Sequence, residues 1–120
     1  MALPLFKEAR WLFIGDSITD AGHGQCPEAI GTGYVRDIRD WLRASVPARA
    51  PQILNKGISG NTIQDLRRRW KSDVLAHEPQ LVSIKIGIND VWHGFGEAGG
   101  GTPIEKFRET YVEILERLRD

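Results

Sequence analysis

Three segments of this 120-residue sequence share one pattern: a short strand-like run, then small polar residues, then a helical period. The strand-like runs are residues 11–14 (WLFI), 52–55 (QILN) and 81–86 (LVSIKI). Short apolar runs without alternation are typical of parallel strands that are buried on both faces. Because strand and helix alternate three times, the sequence predicts an α/β fold with a parallel sheet and right-handed crossovers.

The helices are indicated by apolar residues that recur at helical spacing. Thr102 and Glu105 have the spacing of a capping box around Pro103, which predicts the start of the last helix. The apolar positions of the three helices are, in order, Tyr34, Ile38, Trp41 and Leu42; Ile63, Leu66, Trp70 and Val74; and Ile104, Phe107, Tyr111, Ile114 and Leu118.

Small polar residues and glycines follow each strand directly. The carboxyl ends of parallel strands share one edge of the sheet, where ligands bind in open α/β proteins. Each cluster alone could be an ordinary turn with a helix cap. Three clusters on one edge favour a functional site. Its candidate members are Asp16, Ser17, Asp20, Ser59, Gly60, Asn61, Asn89 and Asp90.

The clusters carry the groups that an acyl transfer needs. Ser17 is predicted to be an exposed nucleophile at the end of the first strand. Its own N–H, the N–H of Gly60 and the side-chain amide of Asn89 could donate to one developing oxyanion. Asp16 is too close to Ser17 along the chain to orient a histidine, so we expect it to hold the turn.

A serine nucleophile also needs a base, normally a histidine held by a carboxylate. His23 and His93 lie in loops on the predicted active edge, and His77 follows the second helix. Asp20 and Asp90 precede His23 and His93 by three residues. Because each aspartate belongs to a cluster with another assigned role, we interpret both spacings as chance.

One alternative is magnesium-dependent phosphoryl transfer, as in a receiver domain or an aspartate phosphatase. Asp16, Asp20 and Asp90 would be the Mg²⁺ ligands at the strand ends. The phosphatase pattern needs a second aspartate two residues after the first, and Ile18 stands at that position.

A second alternative is a non-catalytic carbohydrate-binding module. Trp92 and His93 would then form a platform for a sugar ring, and Ser17 would be inert. In an esterase, the same two residues would be candidate substrate contacts.

Charge and apolar content limit the partners and the compartment. Sixteen basic residues cancel sixteen acidic ones, so we expect neither nucleic acid nor an anionic membrane as partner. No apolar run has membrane-spanning length, and Lys7, Glu8 and Arg10 stand where a signal peptide needs its apolar core. The single cysteine, Cys26, excludes an internal disulfide. We predict a cytoplasmic protein; whether it is a homo-oligomer stays open.

Four basic residues, Arg67, Arg68, Arg69 and Lys71, fall close together on the second predicted helix. We interpret this cluster as a solvated helix face and not as a binding patch.

The three polar clusters resemble known sequence blocks. Gly15-Asp16-Ser17-Ile18, Ser59-Gly60-Asn61-Thr62 and Gly87-Ile88-Asn89-Asp90 resemble, in order and spacing, the first three blocks of the SGNH, or GDSL, hydrolase family. The strings FIGDSITD, GTGYV, NKGISGNT and GINDVW are similar to acetyl xylan esterases and related carbohydrate deacetylases.

The resemblance implies a flavodoxin-like three-layer α/β/α sandwich. It also implies an esterase that removes acetyl groups from small-molecule or oligosaccharide esters. Ser17 would be the nucleophile, and its N–H, Gly60 and Asn89 would be the oxyanion donors. From their positions beside these residues, and not from the resemblance, we expect Asp16, Asp90, Trp92 and His93 to support the site. The family uses no metal or organic cofactor.

The family's Asp-x-x-His motif near the C-terminus has no counterpart after these blocks. We therefore expect residues 1–120 to be the N-terminal portion of a single hydrolase domain, with little catalysis alone. The third strand would lie at an open sheet edge, which is an aggregation hazard. Two further strands and their helices would be missing or supplied by another chain.

Overall fold

The computed structural model describes residues 2–95 and 100–119. The sequence between α4 and α5 is rich in glycine (Gly94, Gly96, Gly99, Gly100 and Gly101) and predicts a loop, of which residues 96–99 lie outside the described residues. Three parallel strands form one sheet: β1 (Arg10–Gly15), β2 (Gln52–Gly57) and β3 (Leu81–Lys85). Their order is β2-β1-β3, which confirms the predicted arrangement with the third strand at an edge.

Five α-helices connect and cover the described strands. They are α1 (Ser17–Asp20), α2 (Tyr34–Ser45), α3 (Ile63–Asp73), α4 (Ile88–Trp92) and α5 (Ile104–Arg117). Short 3₁₀ turns lie between them, at His23–Gln25, Pro27–Ala29, Leu75–His77 and His93–Phe95.

The central strand β1 separates two apolar layers, because alternate side chains of a strand point to opposite faces. Leu12 and Ile14 pack on the side of α3 and α5, whose buried apolar residues are Ile63, Leu66, Trp70 and Ile114. Trp11 and Phe13 pack on the other side with α2, together with Ala9, Ile30, Val35 and Leu42. Burying each such side chain contributes about 1.5–3 kcal/mol, so both faces hold the sheet in place. The predicted α/β sandwich is confirmed.

Two residues of the apolar helix faces are exposed. Trp41 is 67% exposed at the edge of the α2 face, and Ile104 is 74% exposed in the first turn of α5. Helical spacing shows which residues share the apolar face of a helix, but the neighbouring elements decide how much of that face they bury.

The predicted capping box at Thr102 is wrong. Pro103 is the N-cap of α5 and no side chain caps that end, while the N–H of Thr102 donates to the carbonyl of Asp90. A capping box does occur at the start of α3, between Thr62 and Asp65. Within residues 2–95 and 100–119, no helix is both long and apolar enough to cross a membrane.

Candidate active site

The carboxyl ends of the three strands lie side by side. Gly15 at the end of β1 is in register with Gly57 of β2 and Lys85 of β3. A Cβ added to Gly57 would lie 2.2 Å from the backbone nitrogen of Asp20, and one added to Gly15 would lie 2.3 Å from the carbonyl oxygen of Lys85. Only glycine permits these approaches, so α1 packs directly on the end of β2.

Ser17 is the first residue of α1 and is exposed at this edge. The buried carboxylate of Asp16 precedes it and accepts a hydrogen bond from the backbone nitrogen of Ile18, at 3.0 Å. Asp16 therefore holds the turn that presents Ser17, as predicted from its position.

Gly60 lies in the loop between β2 and α3 and is exposed. Its φ of +85° favours glycine, and a Cβ added there would meet nothing within 4 Å. A ligand atom can therefore approach this part of the backbone closely.

The loop that carries Gly60 is held on its N-terminal side by α1. Ser59 donates hydrogen bonds from its backbone nitrogen and its hydroxyl to Oδ2 of Asp20, at 3.0 and 3.1 Å. Burial, the largest single influence, raises the pKa of Asp20, but the two bonds from Ser59 and the neighbouring His23 outweigh it. The net result is a pKa below the ordinary value, so the carboxylate is charged at neutral pH.

The same loop is held on its C-terminal side by the loop after β3. Nδ2 of Asn89, in the first turn of α4, donates to the carbonyl oxygen of Asn61 at 3.1 Å. A carboxamide nitrogen has two hydrogens, so one remains for a ligand. The next residue, Asp90, is buried and accepts from the backbone nitrogen of Ile63 at the start of α3, at 3.1 and 3.2 Å.

The structure thus joins the three polar clusters by hydrogen bonds between neighbouring loops. That Ser17, Gly60 and Asn89 donate to one common oxygen stays a prediction, as do the supporting roles of Asp90, Trp92 and His93. Trp92 is 68% exposed at the end of α4, and His93 begins the 3₁₀ turn that follows.

The side chain of His23, which follows α1 along the chain, already has a partner. Nε2 of His23 lies 2.9 Å from the carbonyl oxygen of Gly57 and 3.7 Å from Oδ1 of Asp20. His77 lies in the 3₁₀ turn after α3, near the amino end of β1, where its carbonyl accepts from Arg10.

The three carboxylates of the magnesium alternative serve separate backbone groups. Asp16 accepts from Ile18, Asp20 from Ser59 and His23, and Asp90 from Ile63, as their hydrogen bonds show. Across the described part of the chain, no group of three or more His, Cys, Asp or Glu residues could hold a metal ion. The placement of these ligands does not favour the magnesium alternative.

Two polar residues of the site, one buried and one partly buried, were not identified from the sequence. Asn55, in β2, donates to the carbonyls of Thr19 and Ile30 at 2.7 and 2.9 Å and accepts from the backbone nitrogen of Gly57. An asparagine inside a buried strand was the available signal. Arg69 contradicts the prediction of a solvated face, because its side chain is only 13% exposed and turns towards the strand ends.

Comparison with known proteins finds a family and close relatives. The profile of the GDSL-like lipase/acylhydrolase family matches residues 13–120. An acetylxylan esterase from Geobacillus stearothermophilus is 46% identical over 111 residues, which are 88% of this chain and 48% of that protein. The chain therefore spans about half the length of this curated relative.

Solved structures agree in fold. A catalytic mutant of Axe2, an acetylxylan esterase from Geobacillus stearothermophilus, has a TM-score of 0.89 at 38% identity, over 97% of this chain and 57% of that chain. LAE5, an alpha/beta hydrolase enzyme from the metagenome of Lake Arreo in Spain, has a TM-score of 0.87 at 36% identity, with the same coverage. Three catalytic mutants of Axe2 replace, respectively, an aspartate, a histidine and a serine by alanine.

Proposed function

The chain belongs to the GDSL-like lipase/acylhydrolase family, and from this membership we propose that it carries the nucleophile and oxyanion donors of a serine esterase. The proposed substrates are acetyl esters of carbohydrates, because the acetylxylan esterase is 46% identical to it. The proposal is carried by the exposed Ser17 at the sheet edge. The Gly60 loop is held next to it, by a hydrogen bond from Ser59 to Asp20 on one side and from Asn89 to Asn61 on the other.

In the proposed reaction, Oγ of Ser17 attacks the acetyl carbonyl carbon and its proton passes to a base. The N–H groups of Ser17 and Gly60 and the free N–H of Asn89 donate to the oxyanion that forms. The ester C–O bond then breaks, the sugar hydroxyl leaves with the proton, and water hydrolyses the acetyl-serine. Each donor stabilises the charge that develops in the transition state and not the neutral ester.

We propose that the base and its orienting carboxylate come from outside residues 1–120. His23 is unsuited to the role because its ring is held at the carbonyl of Gly57, 2.9 Å away. The catalytic mutants of Axe2 include an aspartate and a histidine three residues apart, which supports an Asp-x-x-His pair in the part that this chain does not span.

The sugar contact is proposed for Trp92 and His93, at the end of α4. Trp92 is 68% exposed and presents an apolar ring face, and α4 also carries Asn89. A pyranose stacked on Trp92 would therefore lie on the same short helix as one oxyanion donor. The predicted cytoplasmic location, the lack of nucleic-acid and membrane partners and a homo-oligomeric state stay predictions.

The proposal can be tested in a chimera that joins residues 1–120 to the portion of the Geobacillus esterase that this chain does not match. We expect the chimera to hydrolyse acetylated xylooligosaccharides and to be labelled at Ser17 by a fluorophosphonate. Ser17→Ala should lose both, whereas Ser45→Ala, at the exposed end of α2, should retain both. Hydrolysis that survives Ser17→Ala, or labelling at another serine, would contradict the proposal. Residues 1–120 alone should show little hydrolysis.

A further inference from the structure

Arg69, on α3, contacts the ends of β1 and β2, which lead into the Ser17 and Gly60 loops. Its Nε donates to Oδ1 of Asn61 at 2.8 Å, and its Nη1 donates to the carbonyl of Lys56 at 2.7 Å. Its Nη2 donates to the carbonyl of Gly15 at 3.2 Å. Asp73, one turn further along α3, accepts from Nη1 at 3.1 Å and balances the charge.

Through Asn61, the contacts of Arg69 are connected to the two other proposed oxyanion donors, Gly60 and Asn89. Asn61 follows Gly60 directly, and its backbone carbonyl accepts the hydrogen bond from the side-chain amide of Asn89. Gly15 ends β1 two residues before Ser17. One guanidinium therefore links the end of the serine strand, the Gly60 loop and, through Asn61, the Asn89 side chain.

We propose that Arg69 is a positioning residue that holds the Gly60 loop and, through Asn61, orients the amide of Asn89 towards the reacting oxygen. The inference rests on the proposed function, because only there do these two amides bind an oxyanion. Arg69 itself touches no reacting atom in this proposal. It sets the distance between donors on separate loops, and a misplacement of about 1 Å in such groups can cost about a hundredfold in rate.

The chemistry of the contact requires arginine. A guanidinium is planar and presents several N–H donors in fixed directions, so it serves three acceptors on separate segments at once. An ammonium group at the end of a lysine would reach one or two of these acceptors. Arg69→Lys should therefore rescue part of the effect of Arg69→Met.

The chain offers a matched control on the same helix. Arg68 is adjacent, its side chain is 73% exposed, and it pairs with Asp65 in the same α3. Arg68→Met makes the same chemical change without touching the strand ends.

The first measurement is amide exchange and ¹⁵N NMR on residues 1–120, which need no esterase activity. In Arg69→Met we expect the Asn61 amide, which donates to the carbonyl of Ile58, to exchange about tenfold or more faster, since a lost hydrogen bond to a charged group is worth that much. The backbone amide signal of the exposed Gly60 should shift. The side-chain amide signals of Asn89 should move towards those of a solvated carboxamide. Arg68→Met should leave all three unchanged. If Arg69→Met and Arg68→Met behave alike at Gly60 and Asn89, the inference is wrong.

A second variant covers the case in which Arg69→Met does not fold. Asn61→Ala removes only the acceptor in the loop and keeps the bonds from Arg69 to Gly15, Lys56 and Asp73. It should reproduce the changes at Gly60 and Asn89 while the Leu12 and Ile14 amides of β1 stay protected. Unchanged signals at Gly60 and Asn89 in this variant would also overturn the inference.

The two proposals can fail separately. In the active chimera, Arg69→Met should lower kcat about a hundredfold with little change in KM, because ground-state binding does not use the oxyanion donors. If the chimera is inactive but the NMR changes occur, the esterase proposal fails and the link from Arg69 to the loop stands. If the chimera is active and Arg69→Met keeps its kcat, the esterase proposal stands and the positioning role fails.

Discussion

Asp20 accepts two hydrogen bonds from Ser59, one from the backbone nitrogen at 3.0 Å and one from the hydroxyl at 3.1 Å. Asp20 ends the helix that begins with Ser17, and Ser59 precedes Gly60. The pair therefore connects the loop of the proposed nucleophile to the loop of a proposed oxyanion donor. Because the carboxylate is needed in its charged form, the connection depends on pH.

Asp20→Asn should destabilise the protein at neutral pH and have no effect in strong acid. The pKa of Asp20 is lower in the folded protein than in the unfolded chain, where it is about 4. Such a group contributes stability above its unfolded pKa, and this contribution is lost as pH falls through the folded pKa. Urea denaturation of both proteins from pH 7 to pH 2 should show a difference in unfolding free energy that closes below about pH 4.

The control for that series is Asp37→Asn, on an exposed part of α2, where the side chain is 73% exposed. It should change the unfolding free energy little across the range. A difference between wild type and Asp20→Asn that stays constant with pH would show that the Ser59 contact does not depend on charge.

Gly57→Ala should destabilise the protein much more than Gly60→Ala. At Gly57 the new methyl group would lie 2.2 and 2.7 Å from backbone atoms of Asp20 and Thr19, which cannot move aside separately. Overpacking of this kind costs about 1–3 kcal/mol or more. At Gly60 the space is open, and only the φ of +85° is unfavourable, at about 1–2 kcal/mol. Thermal unfolding of the two variants measures the difference; equal losses would mean that α1 does not pack on β2 as described.

Asp90→Ala should destabilise the start of α3. The substitution removes the carboxylate that accepts a hydrogen bond from the buried backbone N–H of Ile63. An unsatisfied buried donor costs about 1–3 kcal/mol. Asp90→Asn keeps one acceptor oxygen and should lose less. Urea denaturation gives both values, and hydrogen exchange at α3 should show the loss locally. An alanine variant as stable as the asparagine variant would contradict this role.

Asn89→Ala should lower kcat of the chimera about a hundredfold or more, which corresponds to about 3 kcal/mol of transition-state stabilisation. KM should change little, because the oxyanion donor acts on charge that develops after binding. Asn89→Asp should be lower still, since a carboxylate repels the oxyanion. Steady-state hydrolysis of an acetyl ester measures both, with Ser45→Ala as the unaffected reference. A kcat close to that of the wild type would remove Asn89 from the proposed mechanism.

Much of the fold was predictable because it depends on local pattern. Apolar runs and helical periods located all three strands of the described sheet and the long helices. The edge position of the third strand followed from the strand order expected for the fold that the family resemblance implied. The exposed Trp41 and Ile104 were not predictable in this way. Their spacing is that of core residues, but the width of the covered face depends on what packs against the helix.

Some residues of the candidate site were also predictable from local sequence, and others were not. Ser17, Gly60 and Asn89 were identified because the sequence shows both the residue type and its position directly after a predicted strand. The prediction of a solvated face was wrong for Arg69 because it stands among three residues of the same charge, Arg67, Arg68 and Lys71. Those three are exposed in the structure. Of the four basic side chains, Arg69 turns inward because it meets the carbonyls of Gly15 and Lys56 at the strand ends.

The amino-acid sequence by itself determined the order of strands and helices, the glycines at the strand ends and the kinds of groups at one edge of the sheet. It could do so because these follow from local sterics, from the period of apolar residues and from strand polarity. Only the tertiary structure decided that Asp20 binds Ser59, that Asn61 binds Asn89 and that Arg69 lies beneath both loops. The first two contacts join residues 39 and 28 positions apart, and Arg69 reaches Gly15 across 54 positions. Such separations carry no local signal.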